Sequence, residues 1–150
     1  MTTGTRVFAV DANCIVAALS PWHAHHAASL GECGRRLDRG EQMVVPAPAL
    51  IEAYAVLTRL PMPYRLGPID AMTLLDANFL KQARVVGTDP GNAPELLRLF
   101  VKAGIAGGRT YDAFIAEAAR DAGAEVLLTF NRRHFEPAPP GIAIVEPSDG

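Results

Sequence analysis

Short apolar runs that do not alternate with polar residues set the strongest constraint on this chain. They are Arg6 to Val10 (RVFAV), Met43 to Val45 (MVV), Ala83 to Val86 (ARVV), Glu125 to Phe130 (EVLLTF) and Ile142 to Val145 (IAIV). A strand that is apolar on both sides is covered on both sides, which is the condition of a parallel sheet. The stretches between them suit helices: Ala12 to Leu19, Trp22 to Arg39, Pro48 to Leu60, Pro68 to Phe79, Ala93 to Ala103 and Thr110 to Ala122. In the third of these, Leu50, Ala53, Tyr54 and Leu57 fall at i, i+3, i+4 and i+7, one face of a helix. Strands alternating with helices predict an α/β fold with a mostly parallel sheet of four to five strands, the last at an edge. At 150 residues the chain has the size of one domain, 1–150, with 1–5 and 146–150 expected as loose tails.

Composition removes several classes. No apolar stretch approaches the roughly 18–20 residues that cross a bilayer. The segment Met1 to Thr5 lacks the basic and apolar regions of a signal peptide, so a cytoplasmic protein is expected. Cys14 and Cys33 have no zinc-ligand spacing around them and read as free thiols. The net charge of −2 argues against nucleic-acid binding by bulk positive charge, but not against acids gathered in one pocket with arginines at its rim.

Ligands in parallel α/β folds collect at the carboxyl ends of strands, so the polar residues just after strands carry the functional information. Asp11 follows the first strand; its ordinary role there is to cap the next helix. Glu52 lies one turn into a helix among Leu50, Ile51, Ala53, Tyr54 and Val56; it is either the solvated side of that helix or an acid with a partner. Asp112 follows Thr110 in the first turn of the last long helix, where an acid suits the helix dipole. Glu117 sits five residues on, about 140° around the helix, and reads as solvated. Singly each acid has a structural explanation. Together at one sheet edge they would repel one another unless a cation neutralised them. Oxygen ligands without cysteine or histidine select a hard divalent ion such as Mg²⁺, with Mn²⁺ an alternative. Such an ion polarises a phosphate and activates water, which suits phosphodiester hydrolysis better than zinc chemistry.

Four segments, in this order, give the chain a family likeness. They are Val7 to Asn13; Val45 to Glu52 continuing to Pro61; Gly104 to Ala116; and Leu127 to Phe135. The chain resembles the PIN domain, and within it the VapC-type toxins of bacterial toxin–antitoxin pairs, over roughly residues 6 to 145. The resemblance implies a three-layer α/β/α sandwich, a Mg²⁺ or Mn²⁺ site and endonucleolytic cleavage of single-stranded or structured RNA by metal-activated water. It assigns Asp11, Glu52 and Asp112 as metal-binding catalytic acids, with Asn13 and Thr129 supporting them. A fourth acidic position falls on Asn131, which can position water but adds no charge, and a later one falls on His134. The resemblance also implies a homodimer and a VapB-like antitoxin, for which Trp22, Tyr54 and Phe79 offer apolar surface. A rival reading is a catalytically weakened RNA- or protein-binding module, and Asn131 is its main support.

Arg59, Arg65, Arg109, Arg132 and Arg133 lie in the matched loops, where they would either grip RNA phosphates or be ordinary surface charge. His23, His25 and His26 open a helix and read as solvated or interfacial, with a soft-metal site the alternative. The glycines of Gly104 to Gly108 follow a helix and lack a P-loop lysine, so they are no nucleotide loop.

Overall fold

The strand Val7–Val10, β1, sends Phe8 and Val10 to one face of the sheet and Ala9 to the other. All three are fully buried, as expected of a strand covered on both sides. The computed structural model describes residues 4–149. In it β1 is the middle strand of a five-stranded sheet ordered β3-β2-β1-β4-β5, with β2 at Gln42–Pro46, β3 at Ala83–Val86, β4 at Val126–Leu128 and β5 at Ala143–Val145. Every neighbouring pair is parallel. Ala9 aligns with Val44 of β2 and Leu127 of β4, which sets the two central contacts in register.

The helices are α1 (Ala12–Leu19), α2 (His26–Asp38), α3 (Ala47–Leu57), α4 (Pro68–Leu75), α5 (Ala93–Ala103) and α6 (Arg109–Asp121). On one face of the sheet Phe8, Val10, Met43, Val45 and Leu128 pack against α1, α2 and α4 and the far end of α3. On the other face Ala9, Val44 and Leu127 meet Ile115, Ala116 and Ala119 of α6. The result is a three-layer α/β/α sandwich. Small residues on α6 let that helix approach the sheet closely. Cys14 and Cys33 are both buried and unbonded, and burial pushes the Cys33 thiol up to about 12.

Several boundaries differ from expectation. The second helix starts at His26, not Trp22, because Ser20 and His23 accept turn hydrogen bonds from the backbone N–H groups of His23 and His26 before it begins. The fourth helix ends at Leu75 and widens into a π turn over Asp76–Leu80, which carries Phe79 into the core rather than to the surface. The strand expected over Glu125 to Phe130 is only Val126–Leu128, so Thr129 lies one residue past it. Glu117 is buried, not solvated: α5 lies alongside that face of α6, and Arg120 Nε approaches the Glu117 carboxylate at 3.5 Å. Residues 1–3 and 150 of the expected tails lie outside the described residues. Near the other end, the Ser148 N–H donates to Glu32 at 3.1 Å and Arg35 donates to the Ser148 carbonyl at 2.6 Å, which draws this stretch onto α2.

Leu128 has no exposed surface and precedes Thr129 directly. Leu128→Ala is expected to cost about 2–5 kcal/mol in urea unfolding, whereas Val101→Ala, at a position 78% exposed, should stay within about 0.5 kcal/mol of the parent.

Candidate active site

The sheet order places a topological switch between β1 and β4, where crevices form beyond the carboxyl ends of the strands. Asp11 occupies that point. Its N–H donates to the Leu128 carbonyl at 3.0 Å, continuing the β1–β4 ladder by one residue, and its carbonyl accepts from Cys14 N and Ile15 N to start α1. Its side chain caps α1, with Oδ1 accepting from the Ala12 N–H at 2.8 Å. The expected cap is therefore real, and it uses only one carboxylate oxygen. Oδ2 accepts from the Thr129 hydroxyl at 2.9 Å.

Thr129 is fully buried and connects the parts of this floor. Its Oγ1 accepts from Asn13 Nδ2 and from the Asn131 N–H, each at 3.1 Å. Asn13 in turn accepts from the Phe130 N–H through Oδ1 at 3.2 Å. Asn13 and Thr129 thus fix the Asp11 carboxylate and the segment leading to Asn131.

Above this floor opens a cleft of about 900 Å³ lined by Asp11, Asn13, Glu52, Asp112 and Asn131. Glu52 enters from α3 as an exposed side chain and Asp112 from the first turn of α6, half-buried. Pro48, Ile51, Ala55 and Ile115 form its apolar walls. Burial pushes the Asp11 carboxyl up to about 6; the Thr129 and Ala12 hydrogen bonds pull it back, and the Glu52 and Asp112 charges raise it further. Burial also raises Asp112, with His134 and Arg109 opposing the shift and Glu52 adding to it.

The donor set suits a hard divalent cation: mainly carboxylate and amide oxygens, with the His134 ring beside Asp112, one buried acid, and mutual repulsion that a cation would relieve. Among the described residues, no three acid, histidine or cysteine side chains stand close enough to form a finished ligand cage. The acids face one cleft without converging.

His134 is the neighbour that sequence reasoning gave no role. It projects from a short 3₁₀ turn, Arg132–Phe135, and its Nδ1 lies 4.0 Å from Asp112 Oδ2. Twenty-two residues separate the two, and no periodicity links them. Arg109 lines the cleft, as expected. Arg132 and Arg133 line an adjoining recess of about 460 Å³ that shares Asn131 and His134 with the cleft. Arg59 lies past the end of α3, outside both hollows, and Arg65 follows in the next loop. Among the described residues none of these five arginines pairs with a carboxylate, unlike Arg35, Arg36, Arg39, Arg98 and Arg120. The three histidines do not gather round a metal. The His26 ring meets the Ala17 carbonyl at 2.9 Å, and His23 Nδ1 accepts from the His25 N–H at 3.0 Å.

The chain and its fold have counterparts in known proteins. The PIN-domain profile matches residues 8–138. Ribonuclease VapC40 of Mycobacterium tuberculosis is 33% identical over 130 residues, 87% of this chain and 90% of its own. Ribonuclease VapC27 of the same organism is 37% identical over 110 residues, 73% of this chain and 67% of its own. The structure of VapBC2 from Rickettsia felis, bound to a DNA fragment from its promoter, has the same fold at a TM-score of 0.65 and 17% identity, covering 95% of this chain and 99% of that one. With the family profile spanning most of its length and two curated ribonucleases above 30% identity, the chain belongs to the PIN-domain family, among its VapC-type members.

Proposed function

We propose that the protein is a divalent-metal-dependent endoribonuclease and the toxin of a VapBC-type toxin–antitoxin pair. The observation that carries this reading is the meeting of Asp11, Glu52 and Asp112, from three separate elements, in one cleft that Arg109 also lines, with Arg132 and Arg133 in the adjoining recess. Its similarity to two ribonucleases named VapC supports the class of reaction. Mg²⁺, or Mn²⁺ in its place, would supply a Lewis acid for the phosphate and a more acidic water. Asp11, Glu52 and Asp112 would hold the ion. Asn131, whose side chain faces the cleft without a charge, would orient water. Asn13 and Thr129 would keep the Asp11 carboxylate fixed, so that it need not reorganise during reaction.

Arg109, Arg132 and Arg133 suit bidentate contacts to RNA phosphates on the two sides of the cleft, with Arg59 further out. Attack of water on phosphorus with departure of the 3′ oxygen leaves a 5′-phosphate. A VapB-like antitoxin would silence the enzyme by filling the cleft with a basic side chain. The exposed apolar residues Ile69 and Met72 on α4 and Leu97, Leu99 and Val101 on α5 support a homodimer or antitoxin contact. Among the described residues no helix is long and apolar enough to cross a membrane; a cytoplasmic site of action is part of the proposal.

The weakened-module alternative rests on Asn131, and one assay separates the two. The purified chain without a partner should cut labelled RNA in Mg²⁺ or Mn²⁺ and stop in EDTA. Asp11→Asn and Asp112→Asn should each lower the rate by at least about 100-fold, in line with loss of charge stabilisation at a reacting phosphate. Undiminished cleavage in both variants would refute the site, and no cleavage by the parent with either metal would favour the binding module.

Stability supplies a second test. The folded Asp11 carboxyl titrates near 6, above its ordinary value of 3.8, so the folded state holds this proton more tightly than the unfolded chain. The ionised group therefore costs stability, beginning near pH 4 and reaching its full size above pH 6, up to about 3 kcal/mol. In EDTA, Asp11→Asn should raise unfolding stability at pH 8 by up to that amount and change it little at pH 4. Mg²⁺ at pH 8 should then stabilise the parent more than the variant. Equal effects of the substitution at both pH values would show that the burial cost has been misread.

A further inference from the structure

Five aromatic rings form a continuous file that begins beside the cleft. The Phe130 ring stacks on His25 with centroids 4.2 Å apart and planes 12° apart. His25 leads to His23 at 5.7 Å, His23 to Trp22 at 5.5 Å, and Trp22 stacks on Tyr64 at 4.3 Å and 27°. Phe130 is flanked in sequence by Thr129 and Asn131, so the file starts one residue from the cleft wall. Its other end, Tyr64, lies in the loop after α3, the helix that carries Glu52.

The file is both open and held. Trp22 is 45% exposed and Tyr64 44% exposed, and His25 is exposed beside them. Large rings gain most from burial, so two stacked in the open form a surface that gains by being covered. Backbone hydrogen bonds fix both contributing loops: His23 N to the Ser20 carbonyl at 2.9 Å, Tyr64 N to the Pro61 carbonyl at 2.9 Å and Leu66 N to the Leu57 carbonyl at 3.1 Å. Arg65 Nε donates to the Leu60 carbonyl at 2.8 Å, which braces the same loop.

We propose that this file is a base-binding track: unpaired nucleotides next to the cleaved phosphate stack on Trp22, Tyr64 and His25. The inference rests on the nuclease reading of the cleft and adds which side chains hold the bases beside the cut. Unpaired bases present their faces to aromatic side chains, whereas bases within a duplex are already stacked on one another. Cations stand at both ends for the sugar–phosphate chain, Arg65 beside Tyr64 and Arg132 and Arg133 beside Phe130, none of them paired with a carboxylate among the described residues. An amphipathic peptide helix would call for a groove with aliphatic floors. Here the exposed side chains are aromatic rings that carry nitrogen or hydroxyl groups. Stacking tolerates any base, so the track sets position rather than sequence.

Trp22 is the sole tryptophan, so intrinsic fluorescence reports on the track alone. The Asp11→Asn protein in Mg²⁺ is titrated with a single-stranded adenylate decamer. Saturable quenching of Trp22 is expected, and an abasic decamer of equal charge should leave the emission unchanged. In anisotropy with the labelled decamer, Trp22→Ala and Tyr64→Ala should each weaken binding about tenfold, and Trp22→Phe should recover most of the loss. Equal quenching by the abasic strand, unchanged binding in both alanine variants, or quenching by an antitoxin peptide but not by RNA overturns the proposal. None of these readouts needs cleavage. RNA hydrolysis by the unsubstituted protein alongside any of those results removes the track alone, and stacking without hydrolysis removes the nuclease reading alone.

Discussion

The Thr129 hydroxyl donates to Asp11 Oδ2 at 2.9 Å across the ends of the two central strands, with no exposed surface at Thr129. The same oxygen accepts from Asn13 Nδ2 and the Asn131 N–H. One side chain therefore ties together the end of β1, the first turn of α1 and the chain leaving β4. An ionised carboxylate at this depth is costly unless donors surround it. Ala12 N and Thr129 supply two, and the remaining repulsion from Glu52 and Asp112 is still uncompensated by protein groups. The floor of the cleft is thus rigid and electrostatically incomplete at once, the state expected of a group that waits for a cation.

The rest of the architecture follows from keeping that floor open. Because the sheet order reverses between β1 and β4, α3 and α6 leave a gap above Asp11 and become its walls. α3 serves both sides of the molecule, with Ala49 in one apolar cluster and Ala53 and Leu57 in the other. This double anchoring holds Glu52 over the cleft while leaving its side chain exposed. α6 is fixed through Ile115, Ala116 and Ala119, which sets Asp112 one turn above the sheet edge.

Elements governed by local pattern were legible in the sequence. Apolar runs marked all five strands, and the post-strand position of Asp11 pointed to the edge where the cleft lies, because crevices form there in a parallel sheet. Features that depend on packing between distant segments were not legible. The apolar neighbours of Glu52 left open whether it was solvated or partnered; it is exposed and still lines the cleft, which only the packing of α3 decides. The burial of Glu117 depends on where α5 comes to rest. The approach of His134 to Asp112 depends on a 3₁₀ turn after β4. The start of α2 at His26 reflects turn hydrogen bonds from His23 and His26, and tilted ring contacts run from Trp22 to His25 beside them, which no helical period records.

Net charge concealed the division of labour among the arginines. Arg35, Arg36 and Arg39 are bound to Glu32 and Glu41 around α2, Arg98 pairs with Glu95 on α5, and Arg120 faces Glu117 on α6. These pairs contribute to the overall balance near zero and take no part in the cleft. Arg109, Arg132 and Arg133 remain unpaired among the described residues, within or beside the hollow that holds the acids. Asp11 is buried at its base, Glu52 and Asp112 stand on its walls, Arg109 shares the cleft with them, and Arg132 and Arg133 lie in the recess beside it. Placing the arginines beyond direct reach of the acids avoids salt bridges that would neutralise both sets. A chain of net charge −2 can in this way keep acids and unpaired arginines together in one cleft and its adjoining recess, an arrangement invisible to composition.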